Sequence, residues 1–86
     1  MKRSSPDIIA TILEAANGGV GKTRLLTQAN LTSSQFKKYI DLLIEKELLA
    51  EFERDSSRHH SYRTTARGLK YLALYNSIRS VAHINA

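Results

Sequence analysis

No cysteine occurs in the chain, which excludes both a disulfide framework and a thiolate metal site. Apolar runs are only a few residues long, whereas a transmembrane helix needs about 20 apolar residues. The first six residues are not followed by the apolar core of a signal peptide. These absences predict an intracellular, cytoplasmic protein.

The sequence also lacks an obvious catalytic arrangement. We find no Ser-His-Asp or paired-carboxylate pattern that can be placed, and we therefore expect neither enzymatic activity nor a cofactor. The 86 residues, 42% of them hydrophobic, are enough for one compact core. So small a core is marginal, and dimerisation is one way to extend it.

Acidic residues are missing from the last third of the chain. Residues 56–86 contain five arginines and lysines and no acidic residue, whereas residues 41–55 contain six acidic and two basic residues. Residues 1–40 are basic again, with six basic and two acidic side chains. A segregated chain with a net charge of +5 favours an anionic partner such as nucleic acid, although scattered lysines also occur on ordinary solvated surfaces.

The segment 31–46 carries a full set of helix-start signals. The hydroxyl of Thr32 can cap the first turn, and Gln35, three residues later, completes a capping box. The apolar residues that follow lie on one helical face, which comprises Phe36, Tyr39, Ile40, Leu43 and Ile44. The outward face is small, polar and basic at its start and acidic at its end, with Ser34, Lys37, Lys38, Asp41 and Glu45. This pattern predicts a DNA recognition helix that presents its N-terminal end to a polyanion.

Two shorter helices are predicted before this one. The first begins at Ser5-Pro6-Asp7, with Ser5 as the cap, and ends at Asn17-Gly18-Gly19. The second covers residues 22–29, and Asn30 suits the left-handed turn that follows. The second and third helices then form a helix-turn-helix, in which one helix crosses the DNA backbone and the next enters the major groove.

A phosphate-loop pattern overlaps the turn between the first two helices. Residues 16–23 resemble a Walker A loop with alanine in place of its first glycine. In such a loop Lys22 would hold phosphates and Thr23 would bind magnesium. The preceding segment has helical rather than strand periodicity, and the chain is too short for the parallel sheet that such a loop needs. We therefore favour a turn between helices over a nucleotide site.

The next segment predicts a β-hairpin, or wing. Residues 48–54 and 60–64 alternate in polarity and flank a turn-rich loop, with Phe52 and Tyr62 as the predicted inward aromatic residues. The basic side chains of the wing suit phosphate or minor-groove contact, and they are Arg54, Arg58, His59, His60 and Arg63. Two adjacent histidines are too few ligands for zinc, so no metal site is predicted.

A long helix, capped by Thr65, is predicted to end the chain. Leu69, Leu72 and Ala73 form a stripe that can cover the core. A second stripe, with the spacing of a coiled coil, lies on the opposite face and comprises Tyr71, Leu74, Ile78 and Val81. A helix that is apolar on two faces needs two partners, so we expect a homodimer through the second stripe. Alternatively, one stripe covers a loop or faces solvent.

The order of these elements resembles the small archaeal winged-helix DNA-binding proteins, which include chromatin-associated members that dimerise through a C-terminal antiparallel coiled coil. The segments that carry the resemblance are 8–16, 22–39, 48–51 and 62–72. It implies a mostly α fold with a small β-hairpin, in the order α-α-α-β-β-α, and a role in transcription regulation or DNA packaging in the nucleoid. We expect a DNA-binding winged helix-turn-helix domain at residues 1–64. Residues 65–86 would form the C-terminal helix that packs on this domain and dimerises.

The leading hypothesis is therefore a protein that binds double-stranded DNA. Its predicted contacts, including those of the wing, are Lys22, Thr23, Arg24, Ser33, Ser34, Gln35, Lys37, Lys38, Arg54, Arg58, His59, His60 and Arg63. The alternative is a winged-helix adaptor subunit that binds a protein through the acidic segment 41–55 and does not bind DNA.

Overall fold

The computed structural model describes residues 4–53 and 60–84, with side chains as far as Val81. Four helices and three strands lie within these residues. In chain order they are α1 (Ser5–Ala15), β1 (Val20–Gly21), α2 (Lys22–Ala29), α3 (Ser33–Glu45), β2 (Leu49–Glu53), β3 (His60–Thr64) and α4 (Ala66–Ile84). This is the predicted winged-helix order, with one short strand added before α2.

The first helix begins one residue earlier than the sequence indicated. Ser4 is the N-cap, and its hydroxyl accepts a hydrogen bond from the backbone N–H of Asp7. The predicted cap, Ser5, is instead the first helical residue, and its Oγ lies 3.0 Å from the Tyr39 hydroxyl of α3. Ser4 and Ser5 offer equivalent capping hydroxyls, so the local sequence does not distinguish them. The tertiary contact of Ser5 with Tyr39 leaves Ser4 as the cap.

The helix-turn-helix forms as predicted. Asn30 ends α2 in the left-handed conformation, with φ of 53°. The hydroxyl of Thr32 accepts a hydrogen bond from the Gln35 N–H, and the Gln35 side chain accepts one from the Thr32 N–H. This reciprocal capping box satisfies two amides that would otherwise lack helical partners, and it fixes where the recognition helix begins.

The sheet contains a strand that the sequence analysis missed. Its order is β1-β3-β2, and both pairings are antiparallel. With only two residues, Val20 and Gly21, β1 is too short to show an alternating pattern, and its pairing with Tyr62 and Ser61 depends on tertiary contacts. This strand places the start of α2 beside the wing.

The predicted inward direction of Phe52 is wrong. In the hairpin register Glu51 is opposite Tyr62 and Phe52 is opposite Ser61, so Phe52 and Tyr62 lie on different faces of the sheet. Leu49, which strand alternation with an inward Phe52 would turn outward, is buried. Because residues 48–50 are all apolar, the sequence fits either phase of the alternation, with odd-numbered or with even-numbered residues facing inward. The register with β3 decides between the two phases.

The core lies where α1, α2, α3 and the sheet meet. Its fully buried large side chains are Ile12, Leu13, Leu25, Leu43 and Leu49. Thr64 connects the end of β3 to α1, because its Oγ1 donates to the Leu13 carbonyl oxygen at 2.6 Å. That bond satisfies a buried hydroxyl and holds the start of α4 against the end of α1.

The final helix begins at the predicted cap, but its buried stripe differs. The Thr65 hydroxyl accepts a hydrogen bond from the Gly68 N–H at 3.0 Å. Of the predicted stripe, Leu72 is buried, whereas Leu69 and Ala73 are exposed. Gly68 faces the domain so closely that a Cβ there would collide with the Leu48 carbonyl oxygen. A glycine on the inner face carries no apolar signal, so the sequence pattern pointed to a neighbouring stripe.

Candidate nucleic-acid interface

The starts of α2 and α3 present the predicted contact residues on an exposed surface. Lys22, Thr23 and Arg24 form the first turn of α2 and are exposed. No side chain caps this helix, and the helix dipole favours an anion at its first turn. The Lys22 Nζ lies 5.5 Å from the centre of the Phe36 ring, which holds this cation between the two helices.

The first turns of α3 carry the second group of predicted contacts. Ser33, Ser34, Lys37 and Lys38 are exposed. Gln35 is half-buried, and its side-chain oxygen accepts the Thr32 N–H of the capping box. It therefore contributes to the position of the helix and offers less to a ligand than the two lysines beside it.

One lysine of α3 is held by an aromatic ring. The Nζ of Lys38 lies 5.6 Å from the centre of the Tyr39 ring. Tyr39 is buried, and its hydroxyl contacts Ser5 of α1. This contact limits the freedom of the Lys38 side chain, and the positive charge on the recognition helix is thereby partly preorganised.

The described part of the wing has one clearly placed basic residue. The guanidinium carbon of Arg63 lies 5.1 Å from the centre of the Phe52 ring, on the face of the sheet away from Tyr62. His60 is exposed, and its Nδ1 lies 3.6 Å from a Glu51 carboxylate oxygen. The other predicted wing residues, Arg54, Arg58 and His59, lie outside the described residues.

Acidic side chains border the second half of the recognition helix, and one of them, Glu51 of β2, was not placed there by the sequence analysis. A groove of about 300 Å³ between α3 and the sheet is bordered by the cations Lys22 and Lys37 and by the carboxylates Asp41 and Glu51. Burial, together with the nearby Glu51, raises the pKa of the Tyr62 hydroxyl to about 12. The basic surface therefore ends within α3, and a polyanion is favoured only at the N-terminal half of this helix.

The predicted dimer stripe is only partly exposed in the single chain. Leu74, Ile78 and Val81 are 59%, 71% and 61% exposed. Tyr71, the fourth member, is half-buried and packs against the domain core. Beside these residues a groove of about 840 Å³ runs between α1 and α4. The apolar surface that faces outward is thus shorter than the sequence pattern indicated, and it borders α1 as well as α4.

The phosphate-loop pattern occupies a different context from a nucleotide site. It follows the helix α1, and within it β1 is a two-residue antiparallel strand at the sheet edge. Gly18 and Gly19 have φ of 90° and 104°, which the turn between α1 and β1 requires of them. Lys22 is the first residue of α2, and its ammonium group lies over Phe36. The described sheet is antiparallel throughout, so the parallel strand of a phosphate loop is not present there.

The described residues form neither a metal-binding cluster nor a membrane-spanning helix. No group of three or more histidine, aspartate or glutamate side chains in that part of the chain could hold a metal ion. None of the helices that the structure describes is both long and apolar enough to cross a bilayer.

The helix-turn-helix, followed by a hairpin packed beside the recognition helix, defines the class of the protein. The model of the winged helix-turn-helix family matches residues 2–83, so the chain belongs to that family. The predicted resemblance to winged-helix proteins is therefore confirmed.

Among solved structures, the chain is similar to Sso10a-2, a DNA-binding protein from Sulfolobus solfataricus. The TM-score is 0.83 at 20% identity, over 94% of this chain and 83% of that protein. It is also similar to NadR, solved in complex with 4-hydroxyphenylacetate, with a TM-score of 0.71 at 16% identity over 96% of this chain and 63% of NadR. No curated protein sequence gives a significant match. At these identities the two structures establish the shared fold.

Proposed function

We propose that the protein binds double-stranded DNA and acts as a transcription regulator or a nucleoid protein. The observation that carries this proposal is the distribution of charge along α3. Its exposed N-terminal turns hold Ser33, Ser34, Lys37 and Lys38, and its C-terminal half is acidic. The description of Sso10a-2 as a DNA-binding protein supports the same function.

In this proposal the N-terminal half of α3 enters the major groove. Lys37, Lys38 and the two serines reach base edges and flanking phosphates, while the first turn of α2 contacts the backbone. Arg63 and His60 extend the contact along the wing. The carboxylates Asp41 and Glu51 limit how deeply α3 can enter, because phosphates are repelled from its far end.

The proposal includes a homodimer formed through α4. Leu74 and Ile78 are large apolar residues on the outward face of this helix, beside the groove along α1. Burial of each large apolar side chain contributes about 1.5–3 kcal/mol, which is enough for a few residues per chain to offset part of the cost of association. A symmetric pair of chains would present two recognition helices to one duplex.

The adaptor alternative rests on the acidic surface. Asp41, Glu45, Glu47, Glu51 and Glu53 are all exposed and are close in sequence. A basic protein could dock there while α3 remained free of DNA. The two functions therefore predict different protected surfaces.

A footprint on the protein separates these functions. Lysine-modification or crosslinking maps, recorded with and without duplex DNA, should show protection of Lys22, Lys37 and Lys38. Lys46, at the C-terminal end of α3, should stay reactive and serves as the internal control. Protection that is absent from the first three lysines, or equal at Lys46, would contradict DNA binding through α3.

A further inference from the structure

The first turn of α1 contacts both the recognition helix and the final helix. Ser5 Oγ lies 3.0 Å from the Tyr39 hydroxyl of α3. Two residues later, the Asp7 carboxylate accepts a hydrogen bond from the Tyr75 hydroxyl of α4. Ser5 and Tyr39 are 34 positions apart in sequence, and Asp7 and Tyr75 are 68 apart. One turn of α1 therefore connects elements that are distant in the chain.

The carboxylate of Asp7 is well suited to hold α4. The hydrogen bond from Tyr75, followed by that from Ser4, lowers the pKa of Asp7, so the group is charged at neutral pH. Hydrogen bonds to a charged acceptor are stronger than those between neutral groups. The same bond raises the pKa of Tyr75, which keeps the donor proton in place.

Among the described residues of α4, Tyr75 is the last one along the helix that is not fully exposed. Leu72 is buried and Tyr75 is half-buried, whereas residues 76–81 are all exposed. The base of the helix is held separately, by Thr65 Oγ1, which donates to the Glu47 carbonyl oxygen at 2.6 Å. The hydrogen bond between Tyr75 and Asp7 therefore joins α4 to α1 near the point where α4 leaves the domain, and the charge of Arg79, one turn further on, also acts on Asp7.

We propose that Asp7 and Tyr75 are positioning residues that fix the angle of α4 relative to the recognition helix, with Ser5 and Tyr39 completing the connection through α1. The proposal rests on the proposed function, because that angle would set the separation of the two recognition helices in a dimer. The fixed angle itself is a property of a single chain. It can be measured whether or not the chain dimerises.

Distance measurement between two spin labels tests the angle directly. The chain has no cysteine, so E45C and S80C place one label on α3 and one on the exposed outer part of α4. By helical geometry Ser80 lies about 160° around α4 from Ile78 and about 120° from Leu74, on a different face from the dimer stripe. Dilution of labelled chains with unlabelled chains confines the signal to distances within one chain.

The variant Y75F removes only the hydroxyl that bonds to Asp7. The matched control is Y71F, because Tyr71 is also a half-buried tyrosine of α4, and its ring stacks on Tyr75 at 6.4 Å. We expect one narrow distance in the parent and in Y71F, and loss of that single narrow distance in Y75F. D7N keeps the shape of the acceptor but removes its charge, and it should also broaden the distance. Circular dichroism confirms that each variant is folded.

A DNA measurement connects the angle to function. On a mixed-sequence duplex of about 30 base pairs, long enough for two recognition helices, Y75F should bind about tenfold more weakly than Y71F. The salt dependence per chain should be unchanged, because no phosphate contact is lost. Equal, narrow distances in Y75F, Y71F and the parent would overturn the positioning role. A parent chain that keeps its narrow distance but does not bind DNA would instead overturn the proposed function alone.

Discussion

The ring of Phe36 meets the ring of Tyr62 edge to face, with centroids 5.7 Å apart and planes inclined at 74°. This pair joins the recognition helix to the wing, and the Lys22 ammonium lies over the same Phe36 ring. Aromatic pairs in this geometry contribute beyond the area that they bury. The relative position of helix and wing, on which the proposed DNA contact depends, is therefore set by a few ring contacts.

Loss of the Phe36 ring should destabilise the fold strongly. Phe36→Ala removes a buried ring and leaves a cavity, and such changes lower the free energy of unfolding by about 3–5 kcal/mol. Phe36→Leu fills most of the space and serves as the control. Urea denaturation measures both. A loss below about 1 kcal/mol in Phe36→Ala would show that Phe36 is not part of the core.

Stability should fall at alkaline pH because of Tyr62. In the unfolded chain a tyrosine ionises near its usual pKa of 10, whereas the folded protein raises the pKa of Tyr62 to about 12. The contribution of the neutral hydroxyl is therefore fully present below pH 10 and is lost as the pH rises through about 12. Tyr62→Phe should be less sensitive to pH than the parent in this window. If the free energy of unfolding fell equally with pH in the two proteins across this window, the proposed environment of Tyr62 would be contradicted.

The lysines of α3 should differ in their effect on DNA binding according to position. Lys37→Ala and Lys38→Ala should each lower the slope of log affinity against log salt by about one unit. Lys46→Ala removes the same charge at the other end of α3 and should leave that slope unchanged. Fluorescence anisotropy across a salt series provides the comparison. An equal effect of all three substitutions would indicate a general charge effect rather than a contact by the N-terminal half.

Gly68 should not tolerate a side chain. A Cβ at this position would collide with the Leu48 carbonyl oxygen and lie 2.6 Å from the Thr64 Cγ2 atom. Gly68→Ala should therefore lower the free energy of unfolding by about 1–3 kcal/mol, although alanine is the better helix former. Gly21→Ala, where a Cβ meets nothing within 4 Å, is the control and should cost less. A stabilised Gly68→Ala protein would show that α4 packs less closely on the domain.

The outward face of α4 should determine the oligomeric state. Replacing Leu74 and Ile78 together by glutamate places like charges in the predicted dimer stripe. This double variant should give folded monomers that bind DNA more weakly. Leu69→Glu is the control on the same helix, because Leu69 is 43% exposed on a different face. Sedimentation at matched concentrations distinguishes these proteins. A parent chain that is monomeric at high micromolar concentration would show that the predicted dimer stripe does not form an interface.

Local signals in the sequence identified most of the fold. The capping box at Thr32, the left-handed Asn30 and the Thr65 cap each depend on residues within one turn of the chain, and the structure contains all three. The family order of elements followed from them. The position of the lysines on the outward face of α3 was equally local, since it follows from helical period alone.

The features that were missed depend on partners distant in sequence. The pairing of β1 with β3 and the inner position of Gly68 have no local signature. The hairpin phase was wrong because Leu48, Leu49 and Ala50 fit either face until the register with β3 is known. The contacts of Ser5 and Asp7 were also invisible, because both residues fit a helix start whatever else they touch.

Titration of DNA binding against salt tests the central claim most directly. The parent protein, a mixed-sequence duplex and a range from about 50 to 200 mM salt suffice, because each phosphate contact contributes about 0.9 to the slope. Basic groups at the starts of α2 and α3 and on the wing predict an affinity that falls steeply and linearly on logarithmic axes. Binding that is absent at low salt, or constant across this range, would contradict the account.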